Sequence, residues 1–453
     1  MALDISKDEG DHTSSRGVAP NRLNPLQRKA IILVSLGEFI DGYDLLVMGA
    51  AILYLKPQFH LSPSEVGWVG AAAYFGAALG LLVFGKLADK LGRRTIFMFN
   101  LIFFVVAAIL SAFITNIPEL FATRFLIGLG VGGDIPTSMS YIAEISPKEK
   151  RARLLGGLPQ ITWILGAAVS TVVGVVLINI VGAQAWRWMF GLAAIPALFV
   201  LIGRQSLPES PRWLALHGES EKAQGVLNRF GMKDVLSTFD VSQSRFVEIF
   251  SKAYRQRTLV VSTVNFFDCI SVAISTLSVP FILRYVGLLS VDRSLLFSGL
   301  VWMADLVGAL INFWLADRFR RRRIAMVTMS AMGLSGVAMG VFGTHNAAAL
   351  IICTMAFGFF HWLGSAQCVW AWGSELFPTR IRSAAQGFGN AWCRIAIGLN
   401  IFIVPLGIKY IGFSTTIIAL SIPPLLNAVI ARVTRTLETE GVDLEALGSV
   451  SGH

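Results

Sequence analysis

Several ionisable side chains lie where apolar sequence surrounds them. Glu38, Asp41 and Asp44 recur at every third position of a run otherwise dominated by Ile, Leu, Val, Gly and Ala. On a helix this spacing puts all three on neighbouring turns of one face. A second such run carries Arg124 and Asp134, and later ones carry Gln160, Asp268, Asp305, His361, Gln367 and Arg394. A charge near the centre of a bilayer costs about 2.5–3.5 kcal/mol on insertion scales, so each needs water, a partner or a ligand. A carboxylate there is pulled two ways, because dehydration favours the neutral acid and an adjacent guanidinium favours the anion. One that alternates between those surroundings takes up and releases a proton. Sodium is the alternative coupling ion, since several carboxylates could supply oxygen ligands. Arg394 offers a planar fork suited to carboxylate or phosphate; its plain alternative is a buried partner for Asp268 or Asp305.

The elements holding these groups follow from composition. The 453 residues are 54% hydrophobic and 15% charged, with mean hydropathy +0.65, whereas soluble domains carry about a quarter charged residues. Apolar stretches of roughly 20 residues or more follow one another from 27–54 to 411–433 and predict twelve membrane-spanning helices. No apolar core or small-residue cleavage site precedes Pro25, so the first span is expected to direct insertion without a removable signal peptide. Lys and Arg crowd the loops of one face. Only Lys56, Arg187, Arg284, Arg293 and Lys409 fall on the other, with Arg124 and Arg394 inside spans. That bias places both termini in the cytoplasm. The formal charge of +10 therefore points to anionic lipid headgroups rather than nucleic acid. A multi-pass plasma-membrane protein is expected, the inner membrane if the source is bacterial, and a monomer. Cys269, Cys353, Cys368 and Cys393 all fall inside spans without metal-ligand or loop-closing spacing, and read as unpaired. No Ser-His-Asp, metal-ligand or phosphate-cradling pattern marks an enzyme, and no cofactor other than the coupling ion is implied. The run Gly128-Leu-Gly-Val-Gly-Gly133 lies within a span, where it permits close helix approach.

Two sequence echoes divide the chain. Gly85-Lys-Leu-Ala-Asp89-Lys-Leu-Gly92-Arg93-Arg94 is repeated as Leu315-Ala-Asp317-Arg318-Phe-Arg-Arg-Arg322. Glu144-Ile-Ser-Pro147-Lys-Glu-Lys-Arg151 is repeated as Glu375-Leu-Phe-Pro378-Thr-Arg-Ile-Arg382 at nearly the same offset. Such repetition marks a duplicated six-helix unit. The predicted organisation is a cytoplasmic tail at 1–26, a six-helix bundle at 27–205, a cytoplasmic loop at 206–257, a second bundle at 258–433 and a cytoplasmic tail at 434–453. These motifs resemble those of the major facilitator superfamily. Pro208-Glu-Ser-Pro211-Arg212-Trp213-Leu214 is similar to a motif of its sugar-porter branch and of the phosphate and organic-ion relatives. The resemblance spans nearly the whole chain. It implies an all-α fold of twelve helices in two pseudo-symmetric bundles that rock about a midplane site.

That resemblance also implies roles. The echoed loop residues Gly85, Asp89, Gly92, Arg93, Arg94, Glu144, Arg151, Asp317, Arg318, Glu375 and Arg382 would form a conformational latch at cytoplasmic helix ends. Asp89 is expected to work with Arg93 and Arg94, and Glu144 with Arg151; ordinary snorkelling charges are the alternative. The second copy lacks both loop glycines and would latch more weakly. With spans one and four adjacent, Arg124 lies within reach of Asp44, and Asp134 lies near the level of Asp41. Gly42-Tyr43-Asp44 resembles the helix-one motif of proton-coupled sugar porters, whose acid works with an Arg at the position of Arg124. Asp41 to Leu45, with Gly132-Gly133-Asp134, resembles the proton-coupled phosphate porters. Proton coupling by Asp41, Asp44, Asp134 and Arg124 is therefore expected, a fixed ion pair being the alternative for Asp44 with Arg124. Glu38 is as ready to face the cytoplasmic vestibule.

Gln160 aligns with a substrate-binding Gln of the sugar and phosphate branches, Trp370 with a cavity Trp of sugar porters, and Asp268 with an Asp of phosphate porters. Arg394 falls where organic-anion relatives carry Arg. His361 and Gln367 complete the candidate cavity. The sugar branch's Gln-Leu-Ser is absent from span seven, and the phosphate branch's aromatic and Asn positions are filled by Val264, Ile135 and Ala366. Span ten is dense in aromatics: Phe357, Phe359, Phe360, Trp362, Trp370 and Trp372. Two of them are expected to line the cavity, and the rest to pack against helices or lipid. Together these features favour proton-coupled import of a small organic anion such as an aromatic, hydroxy or sugar acid. A sugar, polyol or phosphate carrier is the second reading. An exporter of drugs or organic cations is the third, and Arg394 opposes it. A receptor-like protein that has lost transport would not need the coupling acids.

Overall fold

The computed structural model describes residues 23–146, 154, 157–232, 246–272, 274, 279–286, 289–315, 319–377 and 379–434. Their regular elements are helical. The first pass is α1 (Pro25–Gln58), which starts where Asn24 and Gln27 form a reciprocal capping box and Pro25 occupies the first turn. It is followed by α2 (Pro63–Leu91), α3 (Arg93–Ala112), α4 (Ile117–Ile145) and α5 (Leu158–Val181). The sixth pass is made of α6 (Ala185–Leu192) and α7 (Ala194–Gln205). The connection expected at 206–257 holds two short helices, α8 (Pro211–Leu216) and α9 (Ser220–Arg229), and a 3-10 turn at Phe246–Phe250.

The second six passes contain an interruption that hydropathy does not show. The described helices of the seventh are α10 (Arg255–Val272) and α11 (Val279–Tyr285). The tenth runs as α14 (Ala347–Phe360), a π turn at His361–Ser365, and α15 (Ala366–Glu375). Isolated π turns of this kind concentrate at functional sites. The remaining passes are α12 (Val291–Leu315), α13 (Arg321–Phe342), α16 (Thr379–Tyr410) and α17 (Phe413–Val433).

Eight of the described helical stretches are long and apolar enough to cross a membrane. One of them, Leu158–Gln205, is 48 residues long and holds two passes. The passes outside this set are α1 and α4, which carry several charges, and the seventh, of which residues 273 and 275–278 lie outside the described ones. Twelve passes result. Their outer faces present apolar side chains, among them Ile180 at 74% exposure and Trp314 at 67%, as lipid contact requires.

Glycine sets how closely the helices approach. A β-carbon on Gly128 or Gly132 of α4 would run into the Ala73 or Ala77 carbonyl of α2. Contact between the halves runs through α2 against α16 and α5 against α12. The same pairings enclose the space described next.

Candidate functional site

A central cavity of about 90 Å³ lies between the two halves. Glu38, Tyr74, Gln160 and Trp163 line it from the first half, and Asp268, His361, Trp362, Trp370, Asn390 and Arg394 from the second. Of the predicted substrate residues, Gln160, Asp268, His361, Trp370 and Arg394 therefore share one chamber. Gln367 reaches its edge and donates a hydrogen bond to the Gln160 side chain, joining the halves directly. Trp362 and Trp370 are the span-ten aromatics that line the cavity. Phe357 and Trp372 are packed away from it, and Phe359 and Phe360 face each other with ring centres 5.3 Å apart. Trp163 of α5 lies 5.6 Å from the Trp362 ring and 6.1 Å from that of Trp302, so an aromatic cluster spans the two halves.

The buried charges are sorted by partner. Asp268 is held by His361 at 3.1 Å and by the Ser365 hydroxyl. The π turn positions both donors, since His361 opens it and Ser365 closes it. Asp305 lies wholly buried on α12 against Gly358 of α14, without a hydrogen-bond partner among the described residues. The alternative in which Arg394 pairs with Asp268 or Asp305 is therefore not realised. Arg394 forms no ion pair with a described residue, and Glu38 and Asp41 are among the carboxylates on which its charge bears.

In the first half, Arg124 reaches Asp44 at 3.0 Å and also donates to the Asp44 backbone carbonyl at 2.8 Å. The pair is essentially free of solvent. Asp41 and Asp134 border a second, smaller cavity of about 10 Å³ with Asn100, consistent with the expected level. The partner of Asp134 is one that depth counting missed. Arg204 of α7 holds it with two hydrogen bonds of 2.5 and 3.0 Å, and donates further to the Leu33 and Val34 carbonyls. By sequence Arg204 reads as a loop charge at the end of span six, yet it is 1% exposed. Gly37 makes room for this ion pair, because a β-carbon there would collide with it.

The loop motifs are corrected in detail. Arg93 pairs with Glu144 at 2.5 Å; the Glu144–Arg151 partnership expected from sequence involves a residue outside the described ones. Arg94 donates to the Gln205 carbonyl at 2.7 Å. The carboxylate of Glu209 caps the start of α3 by accepting the backbone N–H groups of Arg93 and Arg94 at 3.0–3.2 Å. Ser210 caps α8 and donates to Glu144. The Pro208-Glu-Ser-Pro211 motif thus ties α3, α4 and α8 together, and Glu209 and Ser210 are working residues that sequence reasoning left without a role. A Ser followed by Pro at a helix start was the signal available. Gly92 adopts φ +95°, which favours glycine, whereas Gly85 meets only ordinary contact. Arg151, Asp317 and Arg318 lie outside the described residues, as do the side chains of Asp89, Glu375 and Arg382.

The expectation of four unpaired cysteines is also corrected. Cys269 of α10 and Cys393 of α16 form a disulfide beside the cavity, with α-carbons 5.1 Å apart, while Cys368 donates to the Arg321 carbonyl. A separation of 124 residues hides such a pair from any local spacing rule.

Two helical bundles enclosing a polar midplane chamber define a membrane carrier for small solutes, built for movement between halves rather than for catalysis. Residues 30–450 match the family model described as Sugar (and other) transporter, and the chain belongs to that family within the major facilitator superfamily. It is 30% identical over 438 residues to the inner membrane metabolite transport protein YgcS of Escherichia coli (strain K12), covering 95% of this chain and 96% of that one. It is 28% identical to the putative niacin/nicotinamide transporter NiaP of Bacillus subtilis (strain 168), covering 92% and 98%. In structure it resembles the proton:xylose symporter XylE with a TM-score of 0.79, covering 94% of this chain and 98% of that one at 21% identity. The protein is a multi-pass membrane transporter.

Proposed function

We propose that this transporter is a proton-coupled symporter that imports a small organic anion by alternating access. The observation that carries the reading is Arg394, a guanidinium on the cavity wall that has no ion-pair partner among the described residues. Trp362 and Trp370 supply apolar surface in the same chamber. A planar carboxylate with an aromatic or short organic body satisfies both features. The similarity to a putative niacin/nicotinamide transporter fits an aromatic body beside Trp362 and Trp370, niacin being a carboxylic acid and nicotinamide its neutral amide. Proton transfer is assigned to Asp41, Asp44 and Asp134, with Arg124 and Arg204 as the cations that release or retain them. The transporter acts as a monomer, with the proton as its coupling ion and no other cofactor.

The test is uptake into proteoliposomes under an imposed pH gradient, comparing radiolabelled benzoate, nicotinate, gluconate and lactate with glucose and xylose. An acidic exterior is expected to drive accumulation of at least one of the acids. Asp44→Asn and Asp134→Asn should each abolish uphill accumulation and spare exchange of labelled for unlabelled substrate. Uphill uptake that survives both changes would refute the proton role.

A sugar is the second reading. Gln160, Asn390 and Trp370 in the cavity offer the amide and aromatic contacts that a neutral sugar uses. Accumulation of glucose or xylose, unaffected by the acids as competitors, would select it.

A further inference from the structure

Glu38 of α1 and Arg394 of α16 line the central cavity from opposite halves. They are 7% and 8% exposed, and neither forms an ion pair or hydrogen bond with a described residue. Among the charges that bear on Glu38, Arg394 is the foremost, followed by Asp134 of α4 and Arg204 of α7. Asp41 on its own helix is a further neighbour. Asp134 and Arg204 are already spent on each other, as are Asp44 and Arg124, and across the cavity Asp268 is hydrogen-bonded to His361 and Ser365. This leaves Glu38 and Arg394 as the cavity's unshared charges of opposite sign, balancing each other through the chamber.

An anion entering that chamber changes the balance. The guanidinium turns its fork to the incoming carboxylate. Glu38 then faces a new negative charge and loses the cation that offset its own, in a low-dielectric setting where such terms are large. Uptake of one proton from solution by the Glu38 carboxylate removes the conflict. The Glu38–Arg394 set is neutral before the event, as carboxylate plus guanidinium, and neutral after it, as carboxylic acid plus guanidinium plus bound anion.

Resting on the anion reading above, we propose that Glu38 is a further proton-binding acid beside Asp41, Asp44 and Asp134, the one that links substrate binding to protonation by taking up one proton for each anion that Arg394 accepts. Linkage makes the effect reciprocal: protonating Glu38 strengthens anion binding by the same factor that the anion strengthens protonation.

The experiment is calorimetric binding of benzoate and nicotinate to the purified protein across a pH series, repeated in buffers of different ionisation enthalpy to count protons. For the wild type, affinity should fall about tenfold per pH unit above the Glu38 transition, with about one proton taken up per anion. Glu38→Gln should flatten the slope and abolish the uptake. Glu38→Asp should retain both with a shifted midpoint, and it serves as the informative variant if the glutamine form does not fold. A wild-type slope in Glu38→Gln, an unshifted midpoint in Glu38→Asp, or wild-type anion binding without proton uptake overturns the assignment to Glu38 alone. A wild type that binds xylose and neither acid overturns the anion reading, and this proposal with it.

Discussion

Three buried carboxylates of the first half each answer to a cation of their own, Asp44 to Arg124, Asp134 to Arg204 and Glu144 to Arg93, and such pairing has measurable consequences. Arg204 satisfies both oxygens of Asp134 and sits over the Phe97 ring at 4.7 Å. Replacing it by Met strands a carboxylate in the bundle, and should cost about 3–5 kcal/mol of stability. The double change Arg204→Met with Asp134→Leu should recover most of that loss, as read by thermal unfolding in detergent. Glu209 works by capping, so Glu209→Ala should destabilise by about 0.5–2 kcal/mol through the exposed N-terminus of α3. Hydrogen exchange at Arg93 and Arg94 would report it. The acids themselves are legible from sequence, because charge in an apolar run stands out. Their partners are not: Arg204 lies 70 residues from Asp134, at a span boundary where basic residues are ordinary.

At the scale of the helix, spacing between neighbours is decided by the absence of a methyl group. Gly128→Ala should force α4 away from α2 and sharply lower the yield of folded protein, since the Ala73 carbonyl occupies the place of the new β-carbon. Gly387 of α16 has nothing within 4 Å of that position. Gly387→Ala should therefore be tolerated, and should gain up to about 1 kcal/mol from helix propensity. Comparing the two by size-exclusion profile and melting temperature separates close packing from a general intolerance of change. The small-residue run in span four announced such an approach. The π turn of the tenth pass gave no hydropathy signal, because it changes the backbone hydrogen-bond pattern of a span that stays apolar on average.

For the molecule as a whole, the two halves meet along α2 with α16 and α5 with α12, and the side chains that bridge them must part if access alternates. The Gln160–Gln367 bond is one such contact. In a chain with its four native cysteines changed to alanine, Gln160→Cys with Gln367→Cys should cross-link on mild oxidation and arrest uptake, and reductant should restore it. Undiminished uptake by fully cross-linked protein would mean that the halves do not separate there.

The sequence alone was enough for twelve helices, their grouping into two related halves and the presence of charge at mid-membrane depth. Those properties are local or repetitive: a span is a run of apolar residues, a duplication is a repeated motif, and an isolated acid in such a run is conspicuous. Tertiary structure decided which charges neutralise one another and which are left facing the chamber. Asp134 went to Arg204, Asp268 to His361 and Arg93 to Glu144, while Arg394 kept its guanidinium for the cavity. Pairing depends on how helices distant in sequence are rotated against each other, and that rotation is fixed by packing between them rather than by any pattern within one.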